Sequence, residues 1–199
     1  MMNLGALCNS VTDSLTRQNN VAHIHTEPGQ HDHTASAFIV RYDAGEPKVL
    51  LHMHKKLGVL LQTGGHVELH ETPWQAVLHE ITEETGYELS QLRLLQPNLR
   101  LKKITDAVLH PQPLVYNTHR FDHEGVHKHT DVSFAFMTDS LPAGVPDEGE
   151  SRDQRWVGLA ELKLLSENEI FANVREIMTY LLTNVLGKYE VVELSQFES

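Results

Sequence analysis

One stretch of this chain constrains its fold more than any other: a helix marked at both ends, with three glutamates inside it. Thr72 suits the N-cap, Pro73 the first helical position, and Gln75 completes a T-x-x-Q capping box. Gly86 follows the last turn, where a left-handed residue commonly ends a helix. Within these limits lie Glu80, Glu83 and Glu84. At about 100° per residue, Glu83 sits about 60° to one side of Glu80 and Glu84 about 40° to the other. The three carboxylates therefore share a face. Trp74, Val77, Leu78 and Ile81 occupy the adjacent arc and can pack the helix on a sheet. Like charges at this spacing cost only a few tenths of a kcal/mol per pair on an exposed helix, so an acidic triplet alone is compatible with a solvated surface. The glycines upstream change its meaning. Gly64-Gly65 lets backbone approach a cation and a phosphate closely, and Mg²⁺ takes a few carboxylates together with water and substrate phosphate.

Around this helix the chain alternates short apolar runs with turn chemistry. Residues 1 to about 20 carry Leu4, Leu7, Val11 and Leu15 at helical spacing, and the polar stretch His23 to Thr34 reads as a loop. Ser36 to Tyr42 and Lys48 to Met53 read as a hairpin across Asp43-Ala44-Gly45-Glu46-Pro47, and Gly58 to Gln62 is a further short apolar run. Leu92 to Ile104, Leu114 to Phe121 and Asp131 to Met137 are strand candidates; Leu141 to Asp153 is a loop, and Trp156-Val157 a last short strand. Ile170, Val174, Ile177, Met178, Leu181 and Leu182 predict a packed C-terminal helix over about 167–187. The pattern is α/β in a single domain spanning 1–199, with an N-terminal extension over about 1–34.

Composition excludes several function classes. A formal charge of −11 repels polyphosphate backbones and argues against a nucleic-acid partner. No apolar run approaches the roughly 18 residues of a membrane span, and the start lacks a basic region, so neither a membrane partner nor a signal peptide is expected. Cys8 is the only cysteine, which suits a reducing, cytoplasmic setting. Several of the 14 histidines fall in H-x-H pairs: His23/His25, His31/His33, His52/His54 and His127/His129. On a strand such pairs share a face and could bind a transition metal; scattered solvated histidines are the plainer reading.

Gly65, Glu71, Glu80, Ile81, Glu83, Glu84, Gly86 and Tyr87 stand in register with G-x5-E-x7-R-E-U-x-E-E-x-G-U, where U is bulky and apolar. Over Gly65 to Tyr87 the chain thus resembles the Nudix hydrolase family. The flanks His54 to Gly58, Leu61 to Glu68 and His127-x-His129-x-Asp131 resemble a bacterial subgroup of it. The resemblance implies an α/β/α sandwich around a mixed β-sheet, with Mg²⁺ or Mn²⁺ as cofactor and water attack on a small phosphorylated substrate. It makes Glu80 and Glu84 the principal metal ligands, with Glu83 a third ligand or water-orienting group and a carbonyl of Gly65 or Gly64 completing the shell. Gly64, Gly65, His66 and Glu68 become substrate-binding candidates, and Glu71 a structural or outer-shell residue. Family members often form dimers, so a homodimer is left open.

The departure is His79, which stands where the family has an arginine expected to hold a catalytic glutamate. Histidine is shorter and offers fewer donors. Asp147, Glu148 and Glu150 in the long loop are candidates for the catalytic base, or simply a solvated acidic segment. His127, His129 and Asp131 could line the substrate pocket, form a second metal site, or pack as strand residues; Tyr116, Arg120 and Trp156 could contact a base or phosphate. Two alternatives to a hydrolase are a non-enzymatic nucleotide- or metal-binding regulator and an isoprenoid-diphosphate isomerase. The isomerase would want an active-site cysteine, for which Cys8 is poorly placed.

Overall fold

Thirteen residues from His31 to Asp43 form β1, the strand about which the rest is arranged. The computed structural model describes residues 29–120 and 128–197. The left-handed residues Ala44 and Gly45 return β1 into antiparallel β2 (Glu46–Met53). After β3 (Leu60–Leu61), β4 (Thr63–His66) pairs antiparallel with the first half of β1 and leads into α1 (Pro73–Thr85). Next come β5 (Arg93–Gln96), β6 (Val115–Arg120) and β7 (Lys128–Met137). The chain continues through β8 (Gln154–Gly158), α2 (Leu159–Leu162), α3 (Ala172–Tyr180) and β9 (Glu190–Glu193). The strands belong to one mixed sheet with the path β3-β2-β1-β7-β5-β9, on which β4 pairs β1, β6 pairs β7 and β8 pairs β2. The β1–β7 pair is parallel, with Asp32 opposite His129 and Val40 opposite Met137.

Alternation along β1 divides its side chains between two helical layers. Ala35, Ala37 and Ile39 pack with Trp74, Val77 and Ile81 of α1 and with Phe134 and Phe136 of β7. Trp74 anchors that layer, stacked on Phe136 and edge-on to Phe134. Phe38 and Val40 face the other way, onto Val174 and Met178 of α3 and Leu181 beyond it. Each such large side chain contributes about 1.5–3 kcal/mol on burial, so α1 is fixed to the sheet by its apolar stripe, with Glu80 and Glu84 turned onto the glycines of β4.

Several boundaries differ from the sequence reading. β1 begins at His31, inside the stretch read as loop and extension, because its neighbours β4 and β7 supply partners to these polar residues. The strand expected from Leu92 ends at Gln96; Pro97 follows and has no amide to continue a ladder. The C-terminal helix is regular only over Ala172–Tyr180 and widens into a π-type turn at Leu181–Val185. β9 adds an edge strand beyond those the sequence predicts. Among the described residues no helix is long and apolar enough to cross a membrane. The expected N-terminal helix, Cys8, His23, His25 and His127 lie outside the described residues.

Candidate active site

The capping expected for α1 is present: Thr72 Oγ1 accepts from the Gln75 amide, and Gln75 Oε1 accepts from the Thr72 amide. Gly86 closes the helix at φ 75°. Upstream, Glu71 accepts from the Glu68 amide at 2.9 Å, tightening the turn into the helix. Glu68 itself is half-buried at that turn.

The glutamates meet the glycine turn. Glu84 is buried, and its Oε2 accepts from the Gly64 amide at 2.9 Å. Glu80 lies against Gly65, where a β-carbon would come within 2.6 Å of the carboxyl carbon. Only glycine lets the Glu80 carboxylate sit on that strand. Burial, and after it repulsion from Glu83, raises the Glu80 carboxyl to about 7. Burial and then the charge of Glu80 push Glu84 up to about 9, against the opposing Gly64 hydrogen bond. Beside them, burial followed by the charge of His54 lowers His52 to about 4. The His52 imidazole is thus neutral near pH 7, with Nδ1 3.8 Å from Glu84 Oε2 and without a hydrogen-bond partner.

A hard dication fits this donor set. The donors are carboxylates brought together at like charge, and their raised values show that the metal-free cluster holds protons where a cation would relieve it. Glu80, Glu84, Glu83 and the glycine carbonyls are the groups that would hold it.

His79 takes up the position expected of the missing arginine in one respect: its Nε2 lies 2.9 Å from Glu83 Oε1. Both groups are substantially exposed, so the contact orients more than it stabilises. The long loop docks on the last turn of α1. The Asp147 amide donates to Glu83 O at 2.8 Å, the Gly144 amide to Gly86 O at 2.9 Å, and Gln154 Nε2 to Glu84 O at 2.9 Å. These bonds satisfy carbonyls that a helix end leaves without partners. Of the loop acids, Asp147 and Glu148 are exposed, whereas Glu150 is half-buried and its charge reaches both Glu80 and Glu84.

Other expected residues fall elsewhere. His66 follows Gly65 but points to the opposite face of β4, beside Asp32 and His129. Asp131 is committed to the fold, accepting from Thr34, Ser36 and Ser133. Trp156 lies under the Arg41 guanidinium, 4.4 Å from its ring centre, while Tyr116 and Arg120 are exposed on β6. Gln154 and Asp32 carry no local sequence signal, and His52 stands out only as half of an H-x-H pair. A cavity of about 350 Å³ formed by residues including Arg100, Lys102, Val108 and Phe197 is not lined by Glu80, Glu83 or Glu84.

The NUDIX domain family model matches residues 32–178. A NUDIX-family hydrolase from Clostridium perfringens superposes with a TM-score of 0.63 at 31% identity, over 77% of this chain and 97% of that one. A NUDIX hydrolase from Nitrosomonas europaea gives 0.57 at 18% identity, over 85% and 97% of the two chains. An Ap4A hydrolase from C. elegans in a binary complex gives 0.54 at 19%, over 74% and 93%. At such identities the last two show the shared fold alone. No match was found among curated protein sequences.

Proposed function

Since this chain belongs to the Nudix hydrolase family, we propose that it cleaves a phosphoanhydride bond in a nucleoside diphosphate derivative or similar small phosphorylated metabolite, with Mg²⁺ or Mn²⁺ held by Glu80, Glu84 and Glu83. The observation that carries this reading is the meeting of Glu80 and Glu84 with the Gly64-Gly65 turn, where burial and repulsion from neighbouring carboxylates raise both carboxyls. When bound, the cation neutralises charge developing on the phosphates and makes water a competent nucleophile near neutral pH.

The chain's own groups do the rest. Glu80 and Glu84 fix the position of positive charge, and the Gly64 amide holds one Glu84 oxygen in place. Gly65 offers a backbone surface without a side chain, so a diphosphate can approach. Glu83, held by His79, orients the attacking water. Glu150 is the loop acid whose carboxylate accepts a proton as water adds to phosphorus and the bridging P–O bond breaks. Glu68, at the turn that leads into α1, is the further side chain assigned to substrate contact.

The test is a screen of nucleoside triphosphates, dinucleoside polyphosphates, ADP-ribose, nucleotide sugars and coenzyme A with Mg²⁺ and with chelator. At least one compound should be hydrolysed with Mg²⁺, and chelator should abolish turnover. The doubly neutralised variant Glu80→Gln, Glu84→Gln should bind no Mg²⁺ and turn nothing over. Activity in that variant would overturn the assignment.

A further inference from the structure

On the other face of the sheet, three side chains that are far apart in sequence converge. Asp32 of β1 and His129 of β7 are neighbours in the parallel register, and His66 of β4 stands opposite Thr34, two residues further along β1. One ligating atom from each lies within 4.8 Å of the other two. His66 Nε2 is 3.6 Å from Asp32 Oδ2, and the His66 and His129 rings meet edge to face at 5.1 Å. Asp32 and His129 are buried at 1% and 7% exposure. Parity places this group away from the glutamates. Gly65 pairs with Ala35, whose side chain faces α1, whereas Asp32 and Thr34 alternate with Ala35 and point the other way.

We infer that Asp32, His66 and His129 form a second metal site, built for a zinc-class transition-metal dication and separate from the glutamate cluster. Two imidazoles and one carboxylate are the ligand set of borderline metals, while Mg²⁺ prefers oxygen throughout. Zinc–ligand bonds of about 2.0–2.2 Å in a tetrahedral shell put donors about 3.4 Å apart. The Asp32–His66 pair is already near that spacing, and no other separation needs to close by more than about 1.4 Å through side-chain rotation. Three protein ligands leave a further position for water or another donor. His119, paired with His129 across β6 and β7, has its ring centre 5.6 Å away and its Nδ1 held by Asn117. The ion would join β1, β4 and β7, adding metal affinity to fold stability. None of the H-x-H pairs supplies both histidines; the strands bring together one from each of two segments.

The full chain, expressed with zinc and dialysed against excess Mg²⁺ to occupy oxygen sites, is analysed for metal content, and crystals are measured at the zinc absorption edge. The expected result is one zinc per chain, an anomalous peak among Asp32, His66 and His129, and a zinc-dependent rise in melting temperature. His129→Ala and Asp32→Asn should each weaken zinc binding by at least about 100-fold, more than an outer-sphere change would. Glu80→Gln should leave zinc content unchanged. No retained zinc in the wild-type chain, a peak at the glutamates alone, or loss of zinc in Glu80→Gln would each overturn the inference. The wild-type anomalous map decides the matter even if a variant fails to fold, and all these results are independent of whether any diphosphate is cleaved.

Discussion

Replacing Gly65 with alanine separates the position of Glu80 from the integrity of the fold. Gly65 does not have a left-handed backbone, so alanine is tolerated there conformationally, and its carbonyl is retained. The added methyl would lie 2.6 Å from the Glu80 carboxyl carbon. Glu80 Oε1 would be nearer still, so reaching ordinary contact requires the carboxylate to retreat by about 1–1.5 Å, which a side chain can do at a rotamer cost of about 0.5–1.5 kcal/mol. Losing a glycine from the unfolded chain returns about 0.4–1 kcal/mol, so net stability should change by less than about 1 kcal/mol. A displacement of about 1 Å at a catalytic group can cost about 100-fold in rate, or about 2.7 kcal/mol of barrier. We therefore expect Gly65→Ala to lower kcat by about 100-fold and to weaken Mg²⁺ binding, with a melting temperature within a few degrees of wild type. Steady-state kinetics on a substrate from the screen, Mg²⁺ titration and thermal melting would measure this. Unchanged turnover with unchanged metal affinity would refute the reasoning, because Glu80 would then be free to move without consequence.

Three other predictions follow from the same geometry. Glu80 and Glu84 have folded values raised from the ordinary 4.5 to about 7 and about 9, so the metal-free fold holds their protons more tightly than the unfolded chain does. That stabilisation is complete below about pH 4.5 and is lost as pH rises through about 7 and then about 9. Thermal melts should show Mg²⁺ stabilisation growing from pH 5 to 9 by roughly 5–10 °C; a Mg²⁺ effect that is flat with pH would contradict it. His79→Arg places a permanent charge beside Glu83 and should raise kcat several-fold near neutral pH, a gain refuted by an equal or lower rate across the pH range. Glu150→Gln should lower kcat by about 10²–10⁴-fold and flatten the acid limb of the pH–rate profile, and an unaltered profile would remove Glu150 as base.

The active helix was legible because its determinants are local. Thr72, Gln75 and Gly86 act within one or two turns, and the shared face of Glu80, Glu83 and Glu84 follows from helical periodicity alone. The turn at Ala44-Gly45 was readable for the same reason. What stayed hidden depends on register between distant strands. Asp32 sits in a run, His31 to Thr34, with no apolar alternation, since its buried side chains are polar and find polar neighbours on β4 and β7. The β7 neighbour of Asp32 is His129, 97 residues along the chain, and no local pattern reports such a pairing. Asp131 looked like a ligand from its H-x-H-x-D setting but is consumed by three hydroxyl donors that only the fold brings to it. The docking of Asp147 and Gly144 on the end of α1 likewise needed the loop's path through space.

The parity of β1 allows one strand to serve two chemistries without interference. Odd positions such as Ala35 and Ala37 meet the layer that carries the glutamates, and even positions such as Asp32 and Thr34 meet the histidine layer. Selection can therefore retune either side by substituting at alternate positions, leaving its counterpart untouched. A single-residue insertion has no such freedom: every side chain beyond it would change sides, presenting Asp32 to the hydrophobic layer or alanine to the histidines. Divergence along this strand should accordingly proceed by replacement and not by change of length.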